Sequence, residues 1–243
     1  MHAARPFLED WDRMLACGGI IRVVNGCDVQ HGRVKRVETT RSFLALFQTI
    51  EYMRAFLGGR VALSFINSLL IISGAFGVFR RDVIVAAGGF ATSTVGEDME
   101  LVVRLHELWR KDKKEYRIVY VPEPVCWTEA PESAKILQRQ RNRWQRGTVE
   151  SLSMHKKMMA NPKCGVLGIF ALPYFLLFEM LGPAVETAGY FFTILGLLIG
   201  IIAPFVALLF FVVSVVFGIL LSMTAVVLEE FTVRRYPNPG DVA

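Results

Sequence analysis

Three clusters in this 243-residue chain have the residue types and spacing for chemistry. Gly96-Glu97-Asp98 opens an amphipathic stretch behind a glycine-rich loop. A helix N-terminus favours a carboxylate anion there, and such a group can accept a hydroxyl proton. Thr94-Val95-Gly96-Glu97 also reads as a capping box, with Thr94 at N-cap and Glu97 at N3, which leaves Asp98 as the candidate base. In the second cluster, Gln138 to Arg146, Arg139, Arg143 and Arg146 share a helical face and Trp144 follows Arg143. Arginine forks bind phosphate bidentately and an indole face suits the apolar face of a sugar. The same pattern also describes a basic helix lying on anionic lipid with Trp144 as interfacial anchor. The third cluster is Ile72-Ser73-Gly74-Ala75-Phe76, whose small residues let a ligand approach backbone amides or simply make a tight turn under the core.

The elements that must position these groups follow from periodicity and punctuation. Gly18 to Val24 and Val34 to Val37 predict strands, and Arg117 to Val121 a strand stopped by Pro122. Ser42 to Leu57 has helical apolar spacing, with Gly58-Gly59 as its stop. Phe65 to Phe79 is apolar but glycine-broken and predicts a buried loop and strand. Arg80 to Phe90 predicts a short helix ending in glycine. A helix follows from about Glu97 to Lys111, its apolar face supplied by Leu101, Val102, Leu105, Leu108 and Trp109. Glu100/Arg104 and Glu107/Lys111 form i,i+4 pairs on the other face. A basic helix runs from about Ser133 to Met159. This order suits a mixed α/β layer.

Composition separates a charged part from an apolar one. The apolar fraction is 53% and the mean hydropathy +0.41, yet no residue from Thr187 to Leu228 is charged. Two membrane spans fit that run, with the turn near Gly200 and Pro204. Cys164 to Val185, which carries Glu179 and is broken by Pro173 and Pro183, either crosses or lies at the interface. Lys156, Lys157 and Lys163 before the apolar region and Arg234 and Arg235 after it place both flanks in the cytoplasm, which favours an even number of crossings. The net charge of +5 sits beside the membrane segment, so anionic lipid rather than nucleic acid is the expected partner. Cys17, Cys27, Cys126 and Cys164 lack the spacing of a zinc site or a disulfide framework, and reduced cytosolic thiols are expected.

Taken in order, the clusters resemble the family 2 glycosyltransferases, the group of the cellulose, chitin and hyaluronan synthases and the bacterial poly-N-acetylglucosamine synthases. Ser73-Gly74 with Arg80-Arg81 resembles the acceptor-side loop, and Gly96-Glu97-Asp98 the Thr-Glu-Asp motif. Gln140-Arg141-Asn142-Arg143-Trp144 matches Gln-x-x-Arg-Trp, with hydrophobic segments directly after it. The resemblance implies an α/β fold of GT-A type, here in part, followed by a transmembrane helical region. It divides the chain into catalytic residues 1–133, an interfacial helix 134–163, a membrane region 164–230 and a polar tail 231–243. It makes Asp98 the general base, Gln140 and Arg143 the donor diphosphate ligands, and Trp144, Ser73, Gly74 and Glu97 the acceptor side. A nucleotide-sugar donor, a glycan acceptor, a divalent cation (Mg or Mn) and a multi-pass inner-membrane location with a cytoplasmic catalytic part complete the expectation.

Two departures stand out. Gly96 replaces the family threonine, and the nucleotide-binding half with its Asp-x-Asp metal motif is not visible. Asp10-Trp11-Asp12 has those letters but only the polar Met1 to Glu9 before it, so no metal ligands are assigned in this chain. The chain is accordingly expected to be the acceptor and base half of a longer enzyme, binding donor poorly on its own. The competing reading is a non-catalytic membrane protein that docks lipid or a partner through the basic helix. It accounts neither for Trp144 after Arg143 nor for the upstream acidic pair.

Overall fold

The computed structural model describes residues 2–232. Its organising element is strand β1 (Met14–Val23), every residue of which is buried. A run that is apolar except for Arg22 suits a strand covered on both faces. β1 starts four residues before the predicted Gly18, because Leu15, Ala16 and Cys17 also sit in the core. It lies between β4 (Gly77–Phe79), antiparallel, and β5 (Arg117–Thr128), parallel, in a mixed sheet. Between helix α1 (Arg5–Glu9) and β1 lies the Asp10-Trp11-Asp12 segment.

Pro122 does not stop β5 as predicted. Gly19 pairs with Val121 and Ile21 with Cys126, so residues 122–125 bulge out of the ladder. A proline placed there forfeits no ladder hydrogen bond. The predicted strand near Val34 is one arm of a hairpin, β2 (Asp28–Gln30) and β3 (Arg33–Arg36). Its loop is His31-Gly32, at φ 52° and 71°, the positive-φ pair that two-residue hairpins favour.

Helix α2 (Phe43–Tyr52) is capped by Ser42, whose side chain accepts from the Ala45 amide. Gly58-Gly59 was the predicted stop, yet the chain stays helical through a widened Met53–Arg60 turn into α3 (Val61–Phe65). Neither glycine takes the positive φ that a glycine terminator uses. By contrast Gly88 and Gly89, at φ 87° and 80°, do end α4 (Arg81–Ala86).

Helix α5 (Glu97–Lys111) buries Leu101, Val102 and Leu105 as its periodicity predicts. Of the two expected acidic pairs one forms and one does not. Glu100 pairs with Arg104 at 2.8 Å but is only 5% exposed. Glu107 forms, in place of the expected Lys111 pair, a 2.6 Å contact with Nδ1 of His155. His155 ends α6 (Ala134–Met154), the predicted basic helix.

The apolar third consists of a helical segment Leu167–Met180 that includes α7 (Leu172–Tyr174), then α8 (Gly182–Leu198) and α9 (Pro204–Thr232). The turn between α8 and α9 falls where predicted, with Gly200 at φ 74°. Among the described residues, Pro204–Leu228, at a mean hydropathy of 2.9, is the one helix long and apolar enough to cross a bilayer. A second crossing exists if Leu167–Met180 and Gly182–Leu198, bent by 44°, form one span. Within the uncharged run α9 is the longer helix, while α8 starts before the run, includes Glu186 and is 17 residues long, at the lower end of the roughly 17–25 residues a crossing takes. Arg234 and Arg235, used to orient the chain, lie outside the described residues.

Candidate active site

Helices α5 and α6 meet through two glycines, Gly96 at the start of α5 and Gly147 midway along α6, whose backbones touch. This contact explains why the predicted capping box does not form. Gly96, not Thr94, is the N-cap residue, and its carbonyl accepts from the Glu100 amide at 2.9 Å. Thr94 Oγ1 accepts from the Gly96 amide (3.0 Å) and donates to Oε2 of Glu150 on α6 (2.7 Å). An ionised carboxylate is the stronger acceptor, so Thr94 is drawn to Glu150. Glu97, released from any capping role, is half-buried as the first residue of α5.

Glu150 ties the two helices together. Besides Thr94 it accepts from the Val95 amide at 3.0 Å and from Arg146 Nε at 2.6 Å. These hydrogen bonds, Arg146 first, hold its carboxyl down at about 2. Arg146, predicted as part of an open basic face with Arg139 and Arg143, is thus engaged within the protein. Ser151 Oγ adds a longer bond to the Gly96 carbonyl, 3.4 Å.

Asp98 sits one residue into α5 and is half-buried. Its Oδ1 accepts from the Met99 amide (2.8 Å) and its Oδ2 from the Gly74 amide (3.1 Å). Gly74 is offered by a turn closed from the Phe76 amide to the Ser73 carbonyl at 2.9 Å. The loop and the acidic motif singled out in the sequence therefore meet at one carboxylate. A carboxylate oxygen accepts more than one hydrogen bond, so both oxygens keep capacity for a hydroxyl.

Residues 140, 143, 144, 147, 150 and 151 recur at the i+3 and i+4 spacing of one helix face. Arg143 and Trp144 therefore lie one turn, about 5 Å along the axis, from the Gly96–Gly147 contact. Arg143 is exposed. Trp144 is 42% exposed, and its ring centroid lies 6.4 Å from that of Tyr52 and 4.9 Å from the Arg141 guanidinium carbon. Arg141 is itself gripped by both carboxylate oxygens of Glu51. Gln140 Oε1 is buried with no hydrogen-bond partner among the described residues, an acceptor open to a donor on a ligand, whereas a phosphate oxygen would take the Nε2–H of the same amide.

Arg60 is a candidate for the site that the sequence reading passed over. Its guanidinium lies over the Phe56 ring at 4.0 Å, and Nη1 is buried without a hydrogen-bond partner among the described residues. Burial lowers its pKa, while Tyr120, Asp98 and Glu179 oppose that shift. It is therefore a cation within the electrostatic reach of Asp98. The signal was an isolated charge in Phe56 to Leu63, hidden by reading Gly58-Gly59 as a helix stop.

No three His, Cys, Asp or Glu residues among those described group to hold a metal ion. Asp10-Trp11-Asp12 follows a helix rather than a strand, and the Trp11 carbonyl accepts from Arg80 Nη1 at 2.7 Å. The described residues thus do not fit a divalent cation. The four cysteines are free thiols, and burial pushes Cys17 up to about 11.

An α/β layer is thus joined at an acidic helix N-terminus to a Gln-x-x-Arg-Trp helix, the juxtaposition that the resemblance to the family 2 glycosyltransferases implies. Residues 15–223 match glycosyl transferase family group 2, and the chain belongs to that family. Over 117 residues it is 32% identical to the poly-beta-1,6-N-acetyl-D-glucosamine synthase of Staphylococcus aureus (strain COL), covering 48% of this chain and 27% of the relative. The synthase of the same name from Staphylococcus epidermidis is 31% identical over 117 residues, with the same coverage. The chain spans about a quarter of the length of the curated relatives it matches, 27% in each case. The family resemblance read from the sequence is borne out.

Proposed function

We propose that this chain carries the acceptor and base side of a membrane-bound, inverting glycosyltransferase. The enzyme moves a hexose or N-acetylhexosamine from a UDP-linked donor to a growing polysaccharide. The observation that carries this reading is the Asp98 carboxylate, held by the Gly74 and Met99 amides at the point where α5 rests on the Gln-x-x-Arg-Trp helix.

In the reaction, an acceptor hydroxyl attacks the anomeric carbon from the face opposite the diphosphate. The new O–C bond forms as the C–O bond to UDP breaks, the electron pair leaves with UDP, and the proton passes to Asp98. Negative charge grows on the diphosphate, which the fork of Arg143 and the amide of Gln140 are suited to receive. Trp144, braced by Tyr52 and Arg141, offers a flat face to the acceptor sugar. The turn of Ser73 and Gly74 and the flanking Glu97 line the same side. In this reading the enzyme sits at a bilayer with its catalytic part in the cytoplasm, which the apolar helix Pro204–Leu228 and the lysines before the apolar region support.

The relatives' names make UDP-N-acetylglucosamine the first donor to test and UDP-glucose the second. The full-length protein is purified in detergent and assayed for UDP release with Mg²⁺ or Mn²⁺. Release with one donor that is lost in Asp98→Asn and Arg143→Ala is expected. Release indifferent to both substitutions, or none with either donor, sinks the reading and favours lipid or partner docking by α6.

A further inference from the structure

About 18 Å along α5 from Asp98, at the helix's other end, an open cavity of about 450 Å³ is lined by Arg13, Arg110, Lys113, Lys114, Arg117 and Lys163, with Glu115 as its acidic member. Two of these cations are neutralised: Arg13 meets Glu115 at 2.8 Å and Lys114 meets Asp112 at 3.0 Å. Lys113, Arg117 and Lys163 make no ion pair among the described residues, and Arg110 Nε is buried without a hydrogen-bond partner among them. Cations near a helix C-terminus offset its dipole, and that alone would account for Arg110 and Lys113. It does not account for Arg13, Arg117 and Lys163, which come from three other segments to the same cavity.

The cavity also adjoins the apolar region. Gly165, at φ 57°, passes so close to Arg110 that a Cβ there would lie 3.3 Å from Nη1. Directly after it, Val166, Ile169 and Phe170 are 49%, 58% and 52% exposed. A basic pocket beside an exposed apolar strip matches the two ends of one amphiphile. We propose that this cavity binds the phosphate headgroup of an anionic lipid, its acyl chains lying along Val166, Ile169 and Phe170. It is a site separate from the one that handles the sugar. The shared chemistry is the phosphate group, and the apolar strip decides for lipid over a free phosphate.

The test is native mass spectrometry of the detergent-purified full chain with equimolar phosphatidylglycerol and phosphatidylcholine of matched acyl chains. Preferential retention of phosphatidylglycerol is expected, weakening as salt rises. Lys113→Glu with Lys163→Glu, both exposed in the fold, lowers that preference about tenfold or more. Arg110→Gln lowers it without reversing a charge. Lys156→Glu with Lys157→Glu, equally basic and outside the cavity, leaves it unchanged. Far-UV circular dichroism and elution position show that each variant is folded. Equal retention of both lipids by the wild type, or equal loss in the Lys156/Lys157 variant, overturns the proposal. Binding of inorganic pyrophosphate that Lys113→Glu with Lys163→Glu abolishes, without lipid preference, overturns the lipid assignment.

Discussion

Gly96 and Gly147 stand in for each other's side chains: a Cβ on Gly96 would lie 2.7 Å from the Gly147 Cα, and one on Gly147 would lie 2.8 Å from the Gly96 Cα. Neither position has room for a methyl group unless the helices separate. The glycine that departs from the Thr-Glu-Asp pattern is therefore a packing requirement of this chain. Restoring the family residue by Gly96→Thr, or making Gly147→Ala, is expected to cost about 1–3 kcal/mol through overpacking. Thermal unfolding in detergent should show this as a midpoint about 2–10 °C lower, and UDP release should fall because Asp98 moves away from Arg143.

Glu150 touches neither Asp98 nor Arg143, yet it fixes the loop before the one to the helix of the other. Glu150→Gln keeps the shape and removes the charge that draws Thr94, Val95 and Arg146 together. A displacement near 1 Å at a reacting centre costs up to about a hundredfold in rate. We expect kcat for UDP release to fall about ten- to a hundredfold while the donor KM moves little. A larger change in KM than in kcat would show that Glu150 shapes donor binding instead.

Much of this site was legible in the sequence because its parts are local. The helix of Glu97–Lys111, the helix carrying Gln140, Arg143 and Trp144, and the turn at Ser73-Gly74 each follow from apolar spacing, glycine and proline within one segment. What the sequence could not display was pairing between segments. Thr94 has a suitable capping partner three residues away and still turns to Glu150, 56 residues on. Glu107 has Lys111 one turn away and turns to His155. Pro122 reads as a strand end until the bulge opposite Gly19 and Ile21 is known. Arg60 gains meaning only when Asp98 and Tyr120 are folded around it.

Two buried histidines give stability opposite slopes with pH. His106 is wholly buried, which pushes its pKa down to about 3. Its Nε2–H donates to the Leu69 carbonyl at 2.8 Å and its Nδ1 accepts from Tyr116 OH at 2.6 Å, the neutral tautomer. Because the unfolded chain takes up this proton near pH 6.5, the His106 contribution is present above 6.5. It is lost as pH falls toward 3, by about 2 kcal/mol at pH 5. His155 is opposed by burial, but Glu100 and Glu107 raise its pKa above the usual value. Its contribution is complete below pH 6.5 and is lost as pH rises through the raised value. Thermal stability followed from pH 5 to 9 should pass through a maximum. His155→Gln should flatten only the alkaline side, and an unchanged alkaline slope would show that the Glu100–His155–Glu107 cluster holds no proton.

Trp144 owes its orientation to Arg141, which stacks on it while Glu51 grips the guanidinium from α2. Arg141→Lys keeps the charge but loses the planar fork and the stack, so the two arginines of the motif should separate in their kinetics. Arg143→Ala removes a diphosphate ligand and is expected to depress turnover at every acceptor concentration. Arg141→Lys frees the indole, and a stacking contact of this kind is worth about 0.5–1 kcal/mol. The acceptor KM should therefore rise about two- to fivefold with kcat nearly kept. Titration with oligosaccharide acceptors at saturating donor reads this directly. A loss of kcat in Arg141→Lys as deep as that in Arg143→Ala would mean that Trp144 acts on the donor side and does not form the acceptor floor.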